Sequence, residues 1–146
     1  MSNNIRLGTY DSETQLKDAG AITTSAAAQV DDSAKEIDVG DARMDARAIV
    51  NVTAITNGTG ETFQVKIQGS DDEFDSDIVD LGILNLGPAA GMVGDTAVGT
   101  GQHEIKFHNC PEGAIKSHIR AYTVVNNPSP ANSPVASINY TAHLVV

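Results

Sequence analysis

The chain has 146 residues, of which nine are basic and nineteen acidic, for a formal charge of -10. That length suits one domain able to bury a core unaided, and the charge repels phosphates, which excludes nucleic acid and anionic membranes as expected partners. Cys110 is the one cysteine, so no internal disulfide ties the fold to an oxidising compartment.

The opening "MSNNIRLGTY" lacks the apolar core of a signal peptide, and no apolar run approaches the roughly eighteen residues of a membrane helix. Synthesis in the cytoplasm is the expectation. Next, "DSETQLKD" (11–18) has Ser12 and Gln15 at capping-box spacing but only Leu16 as an apolar anchor, too little to hold more than a turn or two of helix. Residues 1–20 therefore read as an extended arm, and residues 21–146 as a single β-sandwich domain.

Within that domain "AITTSAAAQV" (21–30) and "KEIDVG" (35–40) are short strand candidates. Clear period-two alternation, the mark of a half-buried strand, begins at "ARAIVNVTAIT" (46–56), with Ala48, Val50, Val52 and Ala54 on one face and Ile49, Asn51, Thr53 and Ile55 on the other. It recurs in "ETFQVKIQG" (61–69), where Phe63, Val65 and Ile67 alternate with Gln64, Lys66 and Gln68. The link "NGTG" (57–60) carries residues that tolerate φ > 0, so these two strands are expected to pair as a hairpin.

Further strands are predicted at 77–84, 102–109, 114–125 and 135–146. In the last, Ala136, Ile138, Tyr140, Ala142, Leu144 and Val146 form an apolar face. Segments 87–101 and 126–134, rich in Gly, Pro, Ser or Asn, read as surface loops. The apolar volume comes mainly from Ala, Val and Ile, with three Phe, three Tyr and no Trp, a composition that packs well on pleated surfaces. The expected fold is all-β, an antiparallel β-sandwich that is jelly-roll-like.

The most chemical stretch is "QGSDDEFDSDIVDLG" (68–82), with Asp71, Asp72, Glu73, Asp75, Asp77 and Asp80. A calcium loop begun at Asp71 needs Gly at its sixth position and Glu at its twelfth, where the chain has Ser76 and Gly82. General acid chemistry needs a carboxyl whose pKa burial raises, whereas adjacent carboxylates in a polar turn stay hydrated. A solvated turn is the expectation. His103, His108 and Cys110 do not have a zinc spacing, and no second cysteine completes a set; His118 and His143 sit at polar-face positions. Residues 87–101 lack the Gly-Lys-Ser/Thr ending of a phosphate loop. The sequons at Asn51, Asn57 and Asn139 read as strand and turn chemistry. No catalytic, cofactor-binding or metal residue is assigned, and the chain is not expected to be an enzyme.

The succession "FQVKIQGSDDEFDSDIVDLGIL", a Gly/Ala-rich loop, "HIRAYTVVNN" and the closing "VASINYTAHLVV" resembles the capsid cement, or head decoration, proteins of tailed bacteriophages of the Bordetella phage type. The resemblance spans residues 46–146 and departs at His118, where that pattern favours an aromatic. It implies a jelly-roll-like sandwich on the capsid exterior that binds the major capsid protein and ties neighbouring copies together, as a homo-oligomer, dimer or trimer. Such proteins act by surface contact, so no functional residues carry over. The alternatives are a carbohydrate- or receptor-binding β-sandwich of a phage tail or fibre, and a metal-assisted hydrolase using residues 71–80 with the histidines.

Overall fold

The computed structural model describes residues 14–57, 60–88, 97–127 and 136–146. Most of the expected arm and the middles of both expected loops lie outside the described residues. The strands are β1 (Gln15–Lys17), β2 (Ala21–Ile22), β3 (Ala26–Ala27), β4 (Gln29–Val30), β5 (Ser33–Ala34), β6 (Ile37–Asp38), β7 (Asp45–Thr56), β8 (Thr62–Ser70), β9 (Val79–Leu86), β10 (Gly101–His108), β11 (His118–Asn126) and β12 (Ser137–Val145). Among the described residues there is no α-helix, only a 3-10 turn at Pro111–Gly113.

One sheet has the order β1-β12-β7-β10, with β2 also on β12, and the other the order β3-β11-β8-β9, with β6 also on β11. All pairings are antiparallel. Four of them are nested: β8 with β9, β7 with β10, β3 with β11, β1 with β12. Nested pairs wrapped alternately onto two sheets make a jelly roll, so the all-β sandwich read from the alternation is the observed fold.

The core lies between the sheets, built from the inward alternation of Val50 and Val52, Phe63, Val65 and Ile67, Ile105 and Phe107, Ile119, and Ile138. A buried bond 2.6 Å long joins the hydroxyls of Thr123 on β11 and Tyr140 on β12 within it. The two satisfy each other across the sandwich, as buried hydroxyls must.

The expected hairpin of β7 with β8 does not form. β7 pairs with β10 and β12, and β8 with β9 and β11, so the link at 57–60 passes from one sheet to the other. Each strand has one apolar face, and facing the two across the core buries both, which side-by-side pairing in one sheet cannot do for strands without other cover. The expected inward face of β7 also changes partway. The register against β12 shifts between Asn139 and Tyr140, with Val52 opposite Tyr140 and Ala54 opposite Asn139. This bulge at Thr53 turns Ile55 inward and leaves Ala54 exposed.

Part of the expected arm is a core element. Leu16 is fully buried in the main cluster, and the Leu144 amide donates to the Thr14 carbonyl at 2.8 Å. A lone apolar residue cannot anchor a helix, yet it suffices for a three-residue edge strand with one inward side chain. Residues 21–30 hold three short strands rather than one. β3 and β6 line the same edge of β11, and the β4–β5 hairpin interrupts them, its turn residues Asp31 and Asp32 both left-handed at φ 53° and 62°. Two successive φ > 0 residues define the tight hairpin turn whose twist matches its strands. Asp18 holds this hairpin from the other sheet: its amide donates to the Gln29 carbonyl at 3.1 Å and its carboxylate accepts from the Asp31 amide at 2.8 Å.

Candidate functional site

The β8–β9 connection, residues 71–78, is a folded loop built around two carboxylates. Asp72 accepts from the Ser70 hydroxyl at 2.8 Å, the Ser76 hydroxyl at 2.7 Å and amide at 3.0 Å, and the Asp77 amide at 3.0 and 3.1 Å. Ser70 Oγ in turn accepts from the Asp72 and Phe74 amides at 3.1 and 2.8 Å. Asp77 accepts from the Asp71 amide at 3.1 Å and from the Lys116 ammonium at 2.8 Å. Lys116 crosses β8 at Gly69, where a Cβ would lie 2.8 Å from Lys116 Cβ and from Leu81 Cδ1. The carboxylates thus serve as acceptors for the loop's own donors, which makes the segment more structured than a solvated turn.

These contacts set the ionisation of the loop. Hydrogen bonds from the Ser76 and Ser70 hydroxyls hold Asp72 far below the ordinary carboxylate value. The Lys116 ammonium, then the Asp71 amide, lower Asp77, and Asp77 raises Lys116. Burial acts to raise Asp80, but the bonds from Gln68 and Lys66 outweigh it, and its value falls. A folded-state value below the unfolded 3.8 means that Asp77 adds stability that is complete above 3.8 and is lost as the pH falls through the folded value. Acidification from about pH 6 to about pH 3 is therefore expected to lower the urea midpoint of the wild-type chain more steeply than that of Asp77→Asn. Equal slopes would show that Asp77 does not carry this dependence.

Next to the loop, the outer face of β8, β9 and β11 carries a row of paired polar groups. Lys66 and Gln68 donate to Asp80, each at 3.0 Å, and Arg120 Nε donates to Gln68 Oε1 at 2.9 Å. The Arg120 guanidinium lies over the Phe74 ring at 4.2 Å and near the Tyr122 ring at 5.5 Å. Phe74 has φ 64° and follows Glu73 at φ 57°, an uncommon backbone for such residues that the Ser70 bond and the guanidinium contact hold in place.

At the end of this row three elements converge. His118 opens β11, Glu73 comes from the acidic loop, and Glu36 immediately precedes β6. One donor atom from each lies within 4.8 Å of the other two. His118 Nε2 faces Glu73 Oε1 at 3.9 Å and Asp38 Oδ2 at 4.0 Å, while Ser117 Oγ contacts its Nδ1 at 3.1 Å.

The other residues weighed from the sequence are scattered. On β10, His103 shares the side of Ile105 and Phe107, and its Nε2 contacts the Gly99 carbonyl at 2.8 Å; His108 points to the opposite side and accepts from the Cys110 amide at 3.2 Å. Strand alternation separates them. His143 is on β12, in the other sheet from His118. Ends of the Gly-rich segment pair with each other through Gly87 and Val98, by bonds of 2.9 and 3.0 Å, while residues 89–96 lie outside the described residues. Of the sequon residues, Asn139 accepts from the Gly20 amide at 3.0 Å and Asn57 donates to the Glu61 carbonyl at 3.4 Å.

No protein-family model matches the chain, and no curated protein matches its sequence. Sequence reasoning did not single out Glu36, Asp38 or Lys116. The one signal for the first two is the alternation of "KEIDVG", which puts Glu36 and Asp38 on one face; that this face meets His118 follows only from the pairing of β6 with β11.

Proposed function

We propose that the protein is a structural virion protein that binds the outer surface of a tailed-phage capsid and cements neighbouring major capsid proteins. What supports this reading is exposed apolar surface on an acidic sandwich: Ile78 and Ile83, beside and on β9, are 46% and 47% exposed. Burying both against a partner contributes about 2 kcal/mol or more per copy. A protein that binds only the assembled shell stabilises it by mass action, and many copies multiply that effect. Its net charge of -10 suits the exterior, away from packaged DNA.

The test is occupancy on shells purified without the protein. Wild type is expected to saturate them and to raise their melting temperature, and Ile83→Asp to bind at least about tenfold more weakly while folding normally. No occupancy by the wild-type chain overturns the reading. A second reading, a carbohydrate- or receptor-binding module of a tail or fibre, is favoured by the Phe74, Arg120 and Tyr122 group, since rings beside a cation can hold a sugar face. Glycan-array binding that Tyr122→Ala abolishes, with no capsid occupancy, would select it.

A further inference from the structure

We propose that His118, Glu73 and Glu36 bind a divalent transition-metal ion of the zinc class on the outer face of the second sheet. The inference does not rest on the capsid reading. An imidazole nitrogen with two carboxylates is a donor set suited to zinc, whereas calcium and magnesium take oxygen ligands almost exclusively.

The geometry points to an ion rather than to a hydrogen-bonded cluster. Among the described residues His118 Nε2 has no hydrogen-bond partner, and its distances of 3.9 Å to Glu73 and 4.0 Å to Asp38 exceed hydrogen-bond length. Two ligands about 2.1 Å from a tetrahedral zinc ion lie about 3.4 Å apart. The donor atoms here, all within 4.8 Å of each other, need to close by only an ångström or so. Glu36 and Glu73 are exposed and free to make that movement, whereas the His118 side chain is only 16% exposed and fixed on β11.

The surroundings favour the same assignment. Ser117 Oγ lies 3.1 Å from Nδ1, and in the tautomer that carries its proton on Nδ1 the ring donates to that hydroxyl and turns its Nε2 lone pair toward the carboxylates. This is the outer-shell contact that orients metal-bound histidines. Asp38 Oδ2 lies 4.0 Å from His118 Nε2, and the nearby Arg120, which donates to Gln68 and lies over the Phe74 ring, also interacts electrostatically with Glu36. The bound ion would join the acidic loop, the residues before β6 and β11.

The experiment is titration of the metal-stripped full chain with zinc chloride, followed by calorimetry and by the NMR signals of the histidine rings. One zinc ion per chain is expected, with selective shift of the His118 ring, a raised melting temperature, and at least about tenfold weaker binding of calcium and magnesium. His118→Asn and Glu73→Gln should each weaken zinc binding by about tenfold or more. Glu36→Gln, at an exposed position, provides the same test without risk to folding. The proposal is overturned if about 1 mM zinc gives no saturable binding, if Glu36→Gln and Glu73→Gln bind as wild type does, or if the shifted ring is His103, His108 or His143.

Discussion

Asn109→Ala is expected to destabilise the protein by about 3 kcal/mol or more, the largest loss predicted for a single polar side chain of this fold. Asn109 is fully buried just after β10. Its Oδ1 accepts from the Met44 amide at 2.7 Å, and its Nδ2 donates to the Ala42 and Lys116 carbonyls at 3.0 and 3.3 Å. Its backbone is engaged as well: its amide donates to the Met44 carbonyl at 3.2 Å and its carbonyl accepts from the Lys116 amide at 2.7 Å. Truncation leaves one amide and two carbonyls without their partner, each at about 1–3 kcal/mol where water cannot replace it. It also loosens Lys116, the partner of Asp77. Urea unfolding reads the loss, and hydrogen exchange at Met44 and Lys116 locates it. An unchanged midpoint would mean that water substitutes fully for the amide group.

Lys17→Met is expected to cost about 2–4 kcal/mol and to release β1 from β12. The Lys17 ammonium donates to three carbonyls, Asp18 at 2.8 Å, Tyr140 at 2.9 Å and Gly20 at 3.1 Å, and lies 4.6 Å from the centre of the Tyr140 ring. Burial pushes its pKa below the ordinary value, with Asp18 opposing. Methionine keeps the length of the stem but removes all three donors and the cation–ring attraction, itself worth about 0.5–2 kcal/mol. The local readout is the Leu144 amide, bonded to Thr14. Its exchange should accelerate more than that of β8 amides; equal protection would show that β1 is held by Leu16 alone. Arginine is not expected to rescue, because a planar fork cannot reproduce the three-way geometry of an ammonium.

Both residues went unremarked in the sequence for the same reason. A buried lysine or asparagine is recognisable only by the backbone groups around it, and those are brought together by pairing. Tyr140 on β12 is 123 positions from Lys17, and Ala42 and Met44 belong to the approach to β7. The acidic stretch illustrates the intermediate case. That it connects two strands was legible, since "FQVKIQ" and "IVDLGIL" flank it. That Asp72 and Asp77 turn inward depends on Ser70, on Ser76 and on Lys116, 39 residues from Asp77. Only the last of these three required the tertiary fold. The failure of the Asn57–Gly60 hairpin is a failure of local reasoning, because turn-tolerant residues permit a tight reversal but do not decide whether the next strand lies beside the first or across from it.

By itself the sequence determined that the chain is all-β, where its long strands run and which side chains of β8 and β12 face inward, because period-two alternation is a local property of a half-buried strand. The tertiary structure alone decided which strands pair, that Leu16 enters the core, where β7 bulges, and that Glu36, Glu73 and His118 meet. Backbone hydrogen bonds between strands are nearly independent of residue type, so the choice of partners is made by how all the apolar faces can be buried together, a condition no single segment contains.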